Sequence, residues 1–393
     1  MTIEASAGTV LGRRIRLGMV GGGQGAFIGA VHRIAARLDD HYELVAGALS
    51  SDPGRARESA AALHIAPDRA YADFREMAER EAARPDGIDV VAVVTPNHMH
   101  AAPVRAFAGR GIHVICDKPL AHSVEDAEAM AAAVREAGIL FALTHNYTGT
   151  PMVRQAREMV AAGELGTLRV VQVEYPQDWL TTPLEGSGQK QAAWRTDPSR
   201  SGAAGSVGDI GTHAFNLAEF VTGLRCESLC AELSRFVPGR ALDDNAHMLL
   251  RFAGGARGML WCSQVAPGHE NGLRLRIYGD RGGLEWAQEQ PNNLLHTPYG
   301  EPPRLLRRGG PAMLPGAARG VRIPAGHPEG YLEAFAQLYR DVAEQITARL
   351  ERRSADAASL LVPGLEEGLR GMHFIAAAVE SARRDAAWVA VGT

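Results

Sequence analysis

Along roughly its first 145 residues the chain alternates short apolar runs with longer stretches whose apolar positions recur at helical spacing. Arg14 to Val20 is a short β-branched strand, followed by glycines and an alanine-rich helix through about Leu38. The pattern then predicts a strand from Tyr42 to Leu49, a helix from about Gly54 to Leu63, and a second helix from about Asp73 that ends before Pro85. Asp89 to Val94 is apolar almost throughout, as a strand is when both sheet faces are covered. A helix through Val104 to Arg110 leads to the strand His113 to Cys116, and Ser123, with Asp126 three residues on, starts a capped helix reaching Ala137. Ile139 to Thr144 closes the set. Strands and helices in this alternation build a parallel sheet with crossover helices, so residues 12–146 read as a doubly wound α/β domain.

After Tyr147 the period changes. A helix through Met152 to Ala162 is stopped by Gly163, and the strand Leu168 to Tyr175 opens a region of longer alternating segments: His247 to Phe252, Ala256 to Gln264 and Leu273 to Gly279. Gly254-Gly255 and the run Gly279 to Gly283 are hairpin connections, which predicts a mostly antiparallel sheet with a few helices over 147–393. Glu289 to Pro328, rich in Pro, Gly and Arg with little periodicity, reads as a long surface excursion, a lid or an oligomer arm. Helices resume at Tyr331 to Glu351 and Pro363 to Arg384, and Trp388 to Val391 is a closing strand.

Composition narrows the partners. The chain of 393 residues is too long for one ordinary core, and 46% apolar with 22% charged residues is the balance of a globular protein. A net charge of -4 with both signs dispersed offers no basic surface to nucleic acid. The opening MTIEASAGTV has no basic start before an apolar core, and no stretch approaches the roughly twenty apolar residues of a membrane helix. A cytoplasmic protein with neither nucleic acid nor membrane as partner is expected. Cys116, Cys226, Cys230 and Cys262 show no CxxC spacing; Cys226 and Cys230 would share one helical turn, but no His or Cys cluster joins them as metal ligands, and ordinary thiols are expected.

The glycines after the first strand let the backbone approach a pyrophosphate, with the N–H groups of the following helix turned to it. Two registers fit: Gly21, Gly23 and Ala26 match GxGxxA, whereas Gly29-Ala30-Val31-His32 matches the end of a motif lengthened by about three residues. At the end of the second strand Ser50-Ser51-Asp52-Pro53-Gly54-Arg55 carries groups of both kinds. Asp52 favours NAD by bonding the ribose hydroxyls, unless it is only the turn residue before Pro53; Ser50 with Arg55 favours NADP. NAD is preferred narrowly.

The glycine turn, Thr95-Pro96-Asn97 with His100, Asp117-Lys118-Pro119, and Asp209-x-Gly211-x-His213 together resemble the Gfo/Idh/MocA family, that of glucose–fructose oxidoreductase, inositol dehydrogenase and rhizopine catabolism proteins. The resemblance runs through to Ser381-Ala382-Arg383 before the last strand. It implies an N-terminal Rossmann domain, a C-terminal α+β domain with a large open, mostly antiparallel sheet, and a homodimer or homotetramer built through that sheet. The activity implied is NAD(P)-dependent oxidation or reduction of a secondary alcohol on a sugar, glycoside or cyclitol such as an inositol. Cofactor contacts then fall to Gly21, Gly23, Gln24, Ala26, Phe27 and Ile28, to Ser50, Ser51, Asp52 and Arg55, and to Thr95, Pro96, Asn97, His100, Asp117, Lys118 and Asn146. Three departures stand out: Asp117 replaces the family's usual Glu, the glycine loop is longer, and His145-Asn146-Tyr147-Thr148-Gly149 stands where many relatives have Asn-Arg-Arg.

Alcohol oxidation needs a hydride acceptor, which side chains cannot provide, and a base for the hydroxyl proton. Lys118 is the candidate base, because burial and a nearby nicotinamide cation would both favour its neutral amine; read alone, it would be a lysine snorkelling from a strand end. Asp209 and His213, four apart, would share a helix face, His213 relaying the proton and Asp209 holding a neighbouring hydroxyl; as a bare pair they equally read as a capping aspartate and a packed histidine. No third ligand makes them a metal site. Tyr147, Trp179, Trp194 and Arg195 are candidate sugar-binding residues, flat faces with directed hydrogen bonds, although the tryptophans would serve an exposed loop equally well. His98 and His100 either line the cofactor cleft or cap the next helix. Two rivals remain: a glycosidase acting through transient oxidation by bound NAD, and a non-catalytic dinucleotide-binding regulator, against which the retained Lys, Asp and His speak.

Overall fold

Five of the apolar runs become parallel strands in the computed structural model, which describes residues 12–392. They are β1 (Ile15–Gly21), β2 (Tyr42–Ala48), β3 (Val90–Val94), β4 (His113–Cys116) and β5 (Phe141–Leu143), in the order β2-β1-β3-β4-β5. All five residues of β3 are buried, as its unbroken apolar sequence requires at the centre of a covered sheet. The order reverses between β1 and β3, so the carboxyl ends of these two strands, level at Gly21 and Val94, form the switch point of the sheet. The crossovers are α1 (Phe27–Leu38), α2 (Pro53–Ala62), α3 (Phe74–Ala83), α4 (Ala101–Ala108) and α5 (Val124–Ala137).

This compact unit takes in a segment from much later in the chain. Tyr331–Leu369 clusters with it rather than with the second unit, where the division at 146 and 147 had put all later residues. The reason is apolar: the helix Tyr331–Leu350 lays Phe335, Tyr339, Val342 and Ile346 into one core cluster with Val31 and Ala35 of α1.

The second unit, residues 122–124, 150–330 and 370–392, holds a nine-stranded sheet. Its strands are β6 (Leu168–Pro176), β7 (Cys226–Ser234), β8 (Asn245–Phe252), β9 (Arg257–Ser263), β10 (Arg274–Gly279), β11 (Gly282–Ala287), β12 (Asn293–Pro298), β13 (Arg304–Arg307) and β14 (Val389–Ala390). The order is β13-β12-β11-β10-β6-β9-β8-β7-β14, with β6 and β9 parallel and every other neighbouring pair antiparallel. One face is covered, and the helix Thr212–Thr222 packs on β6, β9 and β10. Along β8 the covered face carries Ala246, Met248, Leu250 and Phe252, while His247, Leu249 and Arg251 lie on the exposed face. Cys226 and Cys230 lie on a strand, not a helical turn, and four strand residues span about 13 Å, too far to share a metal ion.

The stretch 289–328 is not a free excursion. Its first part supplies β12 and β13, pairing Leu294 with Leu306 and His296 with Arg304. The rest is tied down by Arg308 and Glu329, whose side chains are each 2% exposed and 2.8 Å apart. Arg308 also donates to Asn292 Oδ1 (2.6 Å) and Ile323 O (2.7 Å), and Glu329 Oε1 accepts the backbone N–H groups of Arg322 (2.8 Å) and Ile323 (2.9 Å). Removing one member of a buried pair leaves an uncompensated charge at a cost of about 3–5 kcal/mol. Glu329→Ala is therefore expected to lower the urea midpoint by that much stability, with proteolysis beginning in the 308–330 segment; an unchanged midpoint would show the pair to be dispensable.

Candidate active site

At the end of β1 the chain passes through Gly21, Gly22 and Gly25 with φ of 80°, 72° and 78°, the left-handed region glycine favours. A Cβ on Gly29, in the first turn of α1, would stand 2.4 Å from Gly22 Cα. Gly29, not Ala26, therefore supplies the close helix–strand approach, which selects the lengthened register. Ala26 is the N-cap residue and no side chain caps the helix, so the N-terminal N–H groups of α1 are left to an anion. A Cβ on Gly25 would meet nothing within 4 Å, whereas one on Gly23 would meet Leu49 O at 2.6 Å. Gly23 thus serves the packing of the loop on the end of β2, while the side at Gly25 stays open. Gln24 N donates to Ser59 Oγ (3.3 Å), and Phe27 is exposed. These residues fit a bound dinucleotide.

At the end of β2, Asp52 caps α2 by accepting from Arg55 N (2.7 Å), and Asp52 N donates to Ser50 Oγ (3.1 Å). Asp52 is the turn residue before Pro53 and is also exposed at the strand's carboxyl end with Ser51, so one residue fills both readings. At the end of β3, Thr95 Oγ1 donates to Met99 O (2.9 Å) and Asn97 is buried. His100 is fully buried, with Nδ1 2.8 Å from Pro119 O and Nε2 2.8 Å from Thr95 O. Burial pushes its pKa down, against the pull of Asp117 and the carbonyls. His100 thus braces Thr95 against Pro119.

The Lys118–Pro119 peptide is cis. Asp117 N is bonded to Val93 O (2.9 Å), which aligns the ends of β3 and β4. Its Oδ1 accepts from Thr144 Oγ1 (2.7 Å) and lies 3.7 Å from His32 Nε2, an ion-pair distance rather than a full hydrogen bond. Burial alone would raise the Asp117 pKa, but His32, the charge of Lys118 and the Thr144 bond outweigh it and hold the carboxyl well below the usual range. Next in the chain after Thr144, His145 is pushed down to about 3, first by burial and then by Lys118, and is neutral near pH 7. Asn146 is buried, and Tyr147 is 5% exposed with its ring edge-on to Tyr331 at 6.4 Å.

In the second unit, Val207–Gly211 is a π-helical turn running into the helix Thr212–Thr222. Asp209 lies within the π turn, and His213 lies in the first turn of the α-helix that follows. Asp243, fully buried, anchors the start of this turn by accepting from Gly205 N (2.6 Å), Ser206 Oγ (2.7 Å) and Val207 N (3.0 Å). Asp209 Oδ2 accepts from Gln264 Nε2 (2.9 Å) and Arg195 Nε (3.2 Å). The Arg195 guanidinium lies over the Trp194 ring, 4.3 Å from its centroid, and both side chains donate to Gln191 Oε1. A second linked set runs from Trp179 Nε1 to Gln177 Oε1 (3.1 Å), and from Gln177 (2.8 Å) and the Tyr175 hydroxyl (2.7 Å) to Asn271 Oδ1. His213 stands beside Tyr175 with ring centroids 6.2 Å apart. The structure therefore joins Arg195 and Trp194 to Asp209, and places Trp179 and His213 about Tyr175 and Gln177.

The sequence reading missed the roles of His32, Thr144, Gln264 and Asn271, whose partners lie far along the chain, and that of Gln191, whose partners Trp194 and Arg195 are only three and four residues away. A signal for Lys118 also went unused. Of 41 Lys and Arg residues only Lys118 and Lys190 are lysine, so arginine has taken nearly every position where a permanent charge suffices. Among the described residues no group of three His, Cys, Asp or Glu side chains is arranged to hold a metal ion, and no helix is long and apolar enough to cross a membrane.

Comparison with known proteins shows the family. Residues 15–145 match the model of an oxidoreductase family with an NAD-binding Rossmann fold, and residues 153–285 match the GFO/IDH/MocA C-terminal domain. An oxidoreductase from Sinorhizobium meliloti is 56% identical over 96% of this chain and 99% of its own, with a TM-score of 0.87. An inositol dehydrogenase homologue from Azotobacter vinelandii, solved with NAD+, is 39% identical over 99% and 100%, with a TM-score of 0.93. A levoglucosan dehydrogenase from Pseudarthrobacter phenanthrenivorans is 30% identical over 72% of this chain and 76% of its own. The chain belongs to the Gfo/Idh/MocA family of oxidoreductases, with an N-terminal NAD-binding Rossmann domain followed by the family's C-terminal domain.

Proposed function

We propose that this chain is a cytoplasmic, NAD-preferring dehydrogenase that oxidises one secondary alcohol of a cyclitol or sugar, with Lys118 as general base. The observation that carries the reading is Asp117, held by Thr144 and facing His32, directly before Lys118 at the switch-point end of the sheet. Bound at the glycine loop, NAD supplies the hydride acceptor that no side chain can be. The N-terminal N–H groups of α1 would hold its pyrophosphate, and Asp52 at the end of β2 would hold the ribose hydroxyls. Lys118 would take the hydroxyl proton as the hydride leaves the same carbon for the nicotinamide, and His213 would assist by hydrogen-bonding that hydroxyl and relaying the proton from Lys118 to solvent. Asp209, kept in place by Arg195 and Gln264, accepts from a neighbouring hydroxyl.

The substrate class follows from the donor set. Asp209, Arg195, Gln264 and His213, with the flat faces of Trp179 and Trp194, suit a ring that carries several hydroxyls and an apolar face. Supporting this, the Azotobacter homologue is also described with NADH and myo-inositol, at 38% identity over 98% of this chain and a TM-score of 0.90. A homodimer or homotetramer would cover the open sheet face, where Leu249, Val170 and Tyr278 are exposed.

A panel of inositols, aldoses and glycosides with NAD or NADP, followed by nicotinamide absorbance, tests the reading; cleavage of a glycoside without net reduction would replace it. On the best substrate, Lys118→Ala is expected to lower kcat about 10²- to 10⁴-fold with NAD affinity unchanged, and His213→Ala to lower it less. Turnover of Lys118→Ala near the wild-type rate would remove Lys118 from the role of base. For the cofactor, kcat/KM is expected to be higher with NAD, and Ser50→Asp to widen the difference by repelling a 2′-phosphate. A wild-type preference of about tenfold for NADP would assign specificity to Ser50 and Arg55 instead.

A further inference from the structure

Among the buried titratable side chains that the proposed chemistry does not use, one stands beside the carboxylate that precedes Lys118. His32, in the second turn of α1, is 0% exposed. Its Nδ1 lies 2.9 Å from the Tyr339 hydroxyl, while its Nε2 has no hydrogen-bond partner and faces Asp117 Oδ1 at 3.7 Å. Phe335 and Tyr339 hold the ring at centroid distances of 5.2 and 5.8 Å. If Nδ1 accepts the Tyr339 O–H, a neutral imidazole carries its proton on Nε2, pointed at the carboxylate. A histidine in an apolar core, with one nitrogen spent and the other turned on a carboxylate, does more than fill space.

We infer that His32 is a positioning residue for Lys118: together with Thr144 it engages Asp117 from the interior, so that the carboxylate does not clamp the adjacent amine as an ion pair. The inference rests on Lys118 being the base. The groups around His32 are few. Asp117 and then Lys118 follow β4, Thr144 and His145 follow β5, Tyr339 reaches in from the helix Tyr331–Leu350, and Tyr42 of β2 donates to Tyr339 O (2.7 Å). Arg33, next on α1, turns away to Gly22 O (2.6 Å). A buried carboxylate that loses an interior donor turns to the cation beside it and favours the ammonium form. Because α1 also carries the glycine-loop end of the cofactor site, the same helix sets both the pyrophosphate cradle and the state of the base.

With two lysines in the chain, protein labelled with 13C at lysine Cε gives two titrating resonances, and Lys190→Arg assigns them. In NAD-saturated protein, His32→Leu is expected to raise the Lys118 midpoint by about one pH unit and to move the acid limb of kcat/KM the same way, with NAD affinity unchanged. His32→Asn, whose shorter amide reaches Tyr339 but not Asp117, is expected to act alike and stands in if His32→Leu does not fold. His32→Gln places an amide N–H where Nε2 stood and should keep the wild-type midpoint. Asp117→Asn should lower it, the opposite sign. A wild-type midpoint in both His32→Leu and His32→Asn would make His32 a packing residue and overturn the inference. A shifted midpoint beside a Lys118→Ala variant that still turns over would overturn the base assignment alone.

Discussion

The contact on which most of the first unit depends is the approach of α1 to the end of β1, where Gly29 meets Gly22 with no room for a side chain. That approach fixes how far α1 stands from the sheet. From it follow the reach of His32 toward Asp117 and the groove on α1 into which the helix Tyr331–Leu350 lays Phe335 and Tyr339. A methyl group at Gly29 would push the helix outward and carry all of these with it, because a close-packed interior transmits displacement rather than absorbing it. The glycines of such a loop are usually discussed for the ligand they admit. Here one of them also sets the depth of a histidine and the seat of a helix from the far end of the chain.

In the second unit the corresponding constraint is a carboxylate. Asp243 gathers Gly205 N, Ser206 Oγ and Val207 N, and so fixes where the π turn begins. From that turn Asp209 meets Gln264 and Arg195. Wide turns inside helices are costly and persist where they aim a side chain.

How much of this could be read in the sequence depended on where the stabilising partner lay. β3 announced itself because Val90–Val94 is apolar at every position, and the parallel sheet followed from strand and helix alternation. β12 and β13 did not, since Asn293, His296, Arg304 and Arg307 make no alternation of their own and are strands by virtue of the neighbours they pair with. The helix Tyr331–Leu350 was plain as a helix, but an apolar face says that something is covered, not what. Lys118 and Asp209 stood out through local motifs. His32 was visible only as the tail of a glycine motif, because its meaning lies with Tyr339, 307 positions away. The same limit explains the π turn, whose cause, Asp243, comes more than thirty residues after it.

The polar character of β13 has its own consequence for solubility. A nine-stranded sheet with one uncovered face has two edges that could recruit strands from other chains. One edge is β13, four residues long, preceded by Pro302 and Pro303 and bearing Arg304 and Arg307, so prolines and like charges meet any strand that tries to add there. The other edge is β14, whose two residues offer almost no ladder to extend. Both ends of the sheet are blunted, which lets the molecule leave one sheet face uncovered without growing edge to edge into fibres.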